Sequence, residues 1–261
     1  MGNMLRLYSI LSMINLITLA GEGSRFSKEG IKIPKPLIEI NGEPMIFKSV
    51  DALPRPKKYV FVCREEHVNK FNIKNILLNR YPNSEIITIN ETTEGQACTA
   101  EVGIIESSIK NGDEILISSC DYGLEYSLDN FNSIKNDSDI VIWSTIKNKA
   151  FSKNPGSYSW LTTHGNKFQK VYVKEHIFED SYNNRAIVGT FYFRRADYFL
   201  DGLNIIYEQN IKSNNEYYID NIFNTLPVSI CKLKVNIFDV DNYMCWGTPA
   251  DLTDYENKIL G

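Results

Sequence analysis

Gly21 and Gly23, then Arg25, then Lys35 between two prolines, form the densest run of chemistry-bearing residues in the chain. Glycines let a backbone approach a ligand closely and aim N–H groups at anionic oxygens. Arg25 adds a planar, always-charged fork suited to phosphate, and Lys35 a point charge on a backbone stiffened by Pro34 and Pro36. Together these groups suit a triphosphate. The phosphate-binding pattern G-x-x-x-x-G-K-[ST] is absent, and G-x-G-x-x-G fails because Phe26 stands where its third glycine belongs. A P-loop kinase and a nicotinamide enzyme are therefore disfavoured. Asp121 follows the apolar run Ile115-Leu116-Ile117, where a carboxylate reads as a turn or helix N-cap residue or as a ligand for a hard cation.

These residues need a scaffold. Strand-length apolar runs at Ile14–Leu19, Tyr59–Cys63, Glu85–Ile89, Glu114–Ser118 and Asp139–Ser144 alternate with helical patterns at Pro44–Leu53, Val68–Arg80 and Gln96–Ser108. That alternation predicts parallel βαβ units with helices on both faces, and a ligand site outside the carboxyl ends of the strands. The second half is β-rich at Tyr158–Thr163, Phe168–Val173 and Ile187–Phe193, with Gly165-Asn166 as a turn signal. Helices at Arg195–Gln209 and Glu216–Leu226, a strand at Val228–Val240 and a short helix after Pro249 complete it. The expected fold is α/β: doubly wound, with a mostly parallel mixed sheet of Rossmann-like type. The second half would close over it as added β structure. Residues 1–12 read as an extension of no assigned role, and 13–261 as one domain with halves 13–145 and 146–261. The apolar run from Leu5 to Ala20 is interrupted by polar residues, is short for a membrane span, and lacks a small-residue cleavage site.

The 261 residues are 43% hydrophobic and 23% charged, enough for a sizeable core and against disorder. A net charge of −4 leaves no basic field for nucleic acid or an anionic membrane. An anionic ligand must then be held by a few placed cations and backbone N–H groups. Five widely spaced cysteines without a C-x-x-C pair suggest reduced thiols in the cytoplasm, and three scattered histidines argue against a zinc site.

The strings Ala20-Gly21-Glu22-Gly23-Ser24-Arg25-Phe26 and Pro34-Lys35-Pro36-Leu37 resemble the signature of the sugar-phosphate nucleotidyltransferases. Four further segments fall in that family's order: Thr93-Glu94-Gly95-Gln96-Ala97, Ser119-Cys120-Asp121, Val188-Gly189-Thr190-Phe191-Tyr192-Phe193, and Trp246-Gly247-Thr248-Pro249-Ala250-Asp251-Leu252. The resemblance covers residues 14–255. It implies a transferase that joins a nucleoside triphosphate to a phosphorylated acceptor, usually a sugar 1-phosphate, with release of pyrophosphate, Mg²⁺ as cofactor, and an NDP-sugar for surface polysaccharide as product. By that match Leu19, Ala20, Gly21, Glu22, Gly23, Ser24, Glu94, Gly95, Gln96 and Cys120 would line the nucleotide. Arg25, Lys35 and Asp121 would be catalytic, with Asp121 on the metal. Lys174, Glu175, His176, Gly189 and Glu216 would face the acceptor. No nucleic acid or membrane partner is implied, and a homo-oligomer is left open.

Two departures stand out. The family's second metal carboxylate falls at Cys245, so Asp241, ahead of Asp239, is the expected replacement. Asp251 reads as structural, in the first turn after Pro249. His176 occupies a slot that is lysine in the family's acceptor-binding pair, with Lys174 as the substitute charge. These departures keep two alternatives open: a cytidylyltransferase for a non-anomeric phosphate, such as a phosphocholine-like, polyol, amino acid or ketose phosphate, and an inactive subunit that senses nucleotide sugars.

Overall fold

The computed structural model describes residues 12–164, 167–175, 177–226 and 233–260. In chain order the first half runs β1 (Ile14–Thr18), α1 (Ser24–Lys28), a 3-10 turn at Lys35–Leu37, β2 (Glu39–Ile40), β3 (Glu43–Pro44), α2 (Met45–Asp51) and β4 (Lys58–Arg64). It continues with α3 (Glu65–Phe71), α4 (Ile73–Arg80), β5 (Ser84–Ile89), α5 (Gln96–Ile105), β6 (Ile115–Ser118), β7 (Tyr122–Glu125), α6 (Leu128–Asn136) and β8 (Ile140–Thr145). The second half runs α7 (Lys149–Lys153), a 3-10 turn at Pro155–Ser157, β9 (Trp160–His164), β10 (Lys167–Tyr172), β11 (Arg185–Phe193), α8 (Ala196–Glu208), α9 (Ile219–Thr225), β12 (Val235–Asp239), β13 (Asn242–Cys245) and α10 (Pro249–Leu260).

Strands β5, β4, β1 and β6 lie side by side in parallel, as the alternation predicts. All residues of β1, β6 and β8 are buried, which is why these strands read as continuous apolar runs rather than alternating ones. Period two still sorts them between faces. Ile14 and Leu16 join Val60, Val62 and Ile117 beneath α5, α8 and α9. Ile17 joins Phe61, Leu116, Val141 and Tyr192 beneath α2, α4 and α6.

The second half does not close over this sheet as a separate layer. It continues it. β11 pairs antiparallel with β6 on one side and β8 on the other, and β12 extends β8 in parallel. The early part of β11 carries β9, and β9 carries β10. A register shift between Ile187 and Phe191 lets β11 serve both neighbourhoods. Gly189 sits in that shift at φ 87°.

Two local expectations change. The single helix over Val68–Arg80 is two, because Asn72 adopts φ 55°, ending α3 and starting α4; asparagine visits this region more readily than other residues with a side chain. The helix over Glu216–Leu226 starts only at Ile219, after a tight Ser213–Glu216 turn with both central asparagines at positive φ. The strand over Val228–Val240 is described only for Val235–Asp239, and Gly165-Asn166 lies outside the described residues. A two-stranded ladder, β7 against β13, has no counterpart in the sequence reading.

Candidate active site

The glycine loop leaves β1 at the carboxyl end of the parallel strands. Gly23 takes φ 63° and starts α1, accepting from the N–H groups of Phe26 and Ser27. A Cβ on Gly23 would sit 3.4 Å from Cβ of Lys35, so loop and lysine pack directly together. The Lys35 ammonium lies 5.8 Å from the centre of the buried Phe26 ring.

From there Lys35 reaches Asp121, with Nζ 2.6 Å from Oδ2. Ser119 Oγ donates to the other oxygen at 2.6 Å. Lys35 and Asp121, 86 residues apart in sequence, thus bring the glycine loop and the end of β6 into one site. Both side chains are largely sheltered, at 18% and 29% exposure. Burial alone would raise the Asp121 pKa, but Lys35 and the Ser119 hydroxyl bring it below its usual value. Burial likewise opposes charge on Lys35, and Asp121 outweighs it, so the ammonium is held above its usual range. Each charge keeps the other ionised.

Around this pair the predicted nucleotide residues divide. Leu19 and Ala20 are buried strand-end residues; Gly21, Glu22, Ser24 and Arg25 are exposed along the loop. Arg25 forms no ion pair among the described residues, and its charge opposes the upward shift that burial imposes on Tyr218. Cys120 is buried beside Asp121. Gln96 begins α5 and donates to Thr18 Oγ1 at 3.3 Å. Gly95 has a structural reason to be glycine: at φ 130°, an added Cβ would stand 2.5 Å from the Tyr217 carbonyl oxygen. The Glu94 carbonyl accepts from Tyr217 N–H at 2.7 Å, while its exposed side chain pairs with Lys212.

On the acceptor side, Lys174 adopts φ 57° and is held by two partners: Nζ donates to the Ser157 carbonyl at 2.6 Å and stands 5.2 Å from the Tyr218 ring centre. Its charge also helps keep Asp121 ionised. Buried Asp220, whose pKa burial raises, lies near the same ammonium. Glu175 is exposed, and His176 lies outside the described residues. A Cβ on Gly189 would meet the Tyr122 ring at 3.4 Å, above a closed set of hydroxyls from Ser118, Tyr122 and Thr190. Glu216 is exposed in its turn and does not cap α9, whose N-cap is Tyr218.

The structure does not bring Asp241 to Asp121. In the β7–β13 ladder Cys245 pairs with Tyr122, next to Asp121, whereas the Asp241 N–H donates to Glu125 at the opposite end. Four residues of strand, about 13 Å, separate those ends. Asp239 accepts from Arg185 Nε and Nη2, at 2.8 and 2.7 Å, and from Ser144 Oγ at 2.6 Å. The carboxylate nearest to Asp121 along the terminal motif is Asp251. Its Oδ2 lies 3.9 Å, and Asp121 Oδ2 3.6 Å, from where a Cβ of Gly247 would be. Asp251 nevertheless accepts from Thr248 Oγ1 at 2.7 Å, and from the Cys245 thiol at 3.5 Å, which matches a capping role. Burial and Asp251 push the Cys245 thiol up to about 11, so it is a neutral donor near neutrality.

Among the described residues no group of three or more His, Cys, Asp or Glu could hold a metal by itself. Asp121 fits a hard cation as one oxygen donor, the remaining ligands being phosphate oxygens. Ser119 and Tyr218 were not singled out in the sequence; a serine two residues before a strand-end aspartate is the signal for the first. A shallow cavity of about 760 Å³ along Ile86–Glu91, Val102 and Glu106 includes none of these groups. No helix among the described residues is long and apolar enough to cross a membrane.

No family model matches the sequence. The bifunctional protein GlmU of Campylobacter hominis is 26% identical over 210 residues, 80% of this chain and 45% of that protein, so the chain spans less than half of that relative's length. The nucleoside-diphosphate-sugar pyrophosphorylase from Vibrio cholerae RC9 superposes with a TM-score of 0.76 at 19% identity, over 94% of this chain and all of the other. The inositol-1-phosphate CTP transferase from T. maritima superposes with a TM-score of 0.69 at 13% identity, over 95% and 97% of the two chains. At these identities the likeness is one of fold.

Proposed function

We propose that this chain, which carries the fold of the sugar-phosphate nucleotidyltransferases, transfers a nucleotidyl group from a nucleoside triphosphate to a phosphorylated small molecule and releases pyrophosphate. The observation that carries this reading is the 2.6 Å contact of Lys35 with Asp121 directly behind the Gly21–Arg25 loop. It gathers loop N–H groups, two cations and a strand-end carboxylate in one place, the groups a triphosphate needs. The fold likeness to a nucleoside-diphosphate-sugar pyrophosphorylase and to an inositol-1-phosphate CTP transferase supports it.

In the reaction an acceptor phosphate oxygen forms a bond to the α-phosphorus while the bond from that phosphorus to the bridging oxygen breaks, and the electron pair leaves with pyrophosphate. The protein's part is positioning and charge. The loop N–H groups and Lys35 draw charge from the phosphates near the reacting centre. Arg25, exposed and without an ion pair among the described residues, serves the departing pyrophosphate. Lys174, fixed by Ser157 and Tyr218, receives the acceptor phosphate. Gln96 and the Gly95 turn face the base. Asp121 would hold a divalent cation such as Mg²⁺, which would supply further neutralisation of phosphate charge.

A sugar 1-phosphate is the acceptor we favour. A non-anomeric phosphate is a second reading, left open by His176 in the acceptor-side lysine slot and supported by the fold likeness to the inositol-1-phosphate CTP transferase of T. maritima. Pyrophosphate release should be measured with the full chain, crossing ATP, CTP, GTP, UTP and dTTP with sugar, polyol and choline phosphates. Release with one pair, lost in Asp121→Asn, supports the reading. Triphosphate binding without turnover on any acceptor favours a sensing subunit.

A further inference from the structure

We infer that divalent-cation binding in this chain is coupled to nucleotide: Lys35 occupies the cation position at Asp121 until a triphosphate draws its ammonium away, and Asp239, Asp241 and Asp251 of the terminal segment are paired or placed so that none anchors a metal there beforehand. This rests on the nucleotidyl-transfer reading of the pocket.

Both oxygens of Asp121 are engaged, Oδ2 by Lys35 Nζ and Oδ1 by Ser119 Oγ, each at 2.6 Å. An ammonium at that distance repels an incoming divalent cation from the same oxygen, and the sheltered setting leaves little solvent to screen it. The carboxylates of the terminal segment offer no bypass. Asp251 is tied to Thr248 and Cys245, Asp239 to Arg185 and Ser144, and Asp241 stands at the far end of the β7–β13 ladder. A triphosphate changes both sides of the balance. Its oxygens outcompete one carboxylate for the Lys35 ammonium, and they bring the additional oxygen ligands that Asp121 alone lacks. Metal and nucleotide then strengthen each other's binding by the same factor. Lys35 acts here as a placeholder as well as a phosphate ligand.

The test uses the full chain with Mn²⁺ as probe, followed by water-proton relaxation, which reports ion bound to the protein. Wild type should bind Mn²⁺ weakly without nucleotide and take up one ion per chain when a bound triphosphate is present. Lys35→Met should bind Mn²⁺ without nucleotide about tenfold more tightly than wild type, and the Lys35→Met/Asp121→Asn double variant should lose that gain. Added Mn²⁺ should raise the melting temperature of Lys35→Met and leave wild type unmoved. If Lys35→Met does not fold, Lys35→Gln takes its place in both measurements. Equal nucleotide-free affinity of wild type and the Lys35 variant overturns the latch, whatever nucleotides do. Failure of all five triphosphates to bind in equilibrium dialysis overturns instead the nucleotidyl-transfer reading, and with it the coupling to nucleotide.

Discussion

At the residue scale the proposed transfer rests on Arg25, Lys35 and Asp121. Arg25→Ala and Lys35→Ala should each cost about 2–4 kcal/mol of transition-state stabilisation, roughly thirty- to a thousandfold in rate, because each removes a charge-assisted phosphate contact. Steady-state kcat/KM on the identified substrates checks this, and retention of nearly full activity by folded variants contradicts the role. Asp241→Asn, on an exposed residue far along the ladder, should change stability by no more than about 0.5 kcal/mol and leave metal dependence as in wild type. Damage from Asp241→Asn comparable to that from Asp121→Asn would put the second anchor back at Asp241. The Lys35–Asp121 pair also has a pH signature. Asp121 titrates below its usual 3.8, so its contribution is present above 3.8 and is lost as pH falls through the lower folded value. Lys35 titrates above its usual 10.5, so its contribution is present below 10.5 and is lost as pH rises through the higher folded value. The melting-temperature gap between wild type and Asp121→Asn should therefore narrow below 3.8. A constant gap down to pH 2 would show that the pair contributes nothing through charge.

At the element scale, the turn that enters α5 is the most constrained piece of the site. Gly95 combines φ 130° with a Tyr217 carbonyl 2.5 Å from any added Cβ. Gly95→Ala should cost about 3 kcal/mol by urea denaturation, since backbone strain and a clash against main chain add. A cost under about 1 kcal/mol would mean that the turn rearranges freely. This element also shows what was legible in the sequence. Ile14-Asn15-Leu16-Ile17 and Ile115-Leu116-Ile117 announced buried parallel strands because both faces of a central strand are apolar. The glycines after β1 and the aspartate after β6 followed from where such strands end. Hidden were contacts that depend on pairing between distant short segments. Neither Tyr122-Gly123-Leu124-Glu125 nor Asn242-Tyr243-Met244-Cys245 alternates cleanly enough to read as a strand, yet their ladder decides that Cys245 faces Asp121 and Asp241 does not. The same blindness made Asp241 attractive, since nearness in sequence stood in for nearness in space. The Asn72 break was also invisible to periodicity, because one residue in the left-handed region interrupts two helices whose apolar positions otherwise continue.

At the scale of the whole molecule, β11 decides how the halves behave. It lies between β6 of the first half and β8, so one sheet runs from β5 to β12. Unfolding by urea should therefore be a single transition, with tryptophan fluorescence and far-ultraviolet circular dichroism coincident. Trp143, Trp160 and Trp246 are all buried, the first in β8 of the first half and the other two in the second half, so the fluorescence reports on both. Two separated transitions would mean that the halves unfold independently despite the shared sheet. The same continuity is what holds the Lys174 cluster opposite the loop and Asp121. The central claim is that this arrangement moves a nucleotidyl group between two phosphates. Nucleoside triphosphates labelled at the α-phosphorus, incubated with the full chain and the phosphorylated acceptors, test it most directly. The label should appear in a new acceptor-linked product with one unlabelled pyrophosphate released per transfer, and Asp121→Asn should abolish both. Label that stays in the triphosphate across every pairing, or emerges only as nucleoside monophosphate, would contradict it.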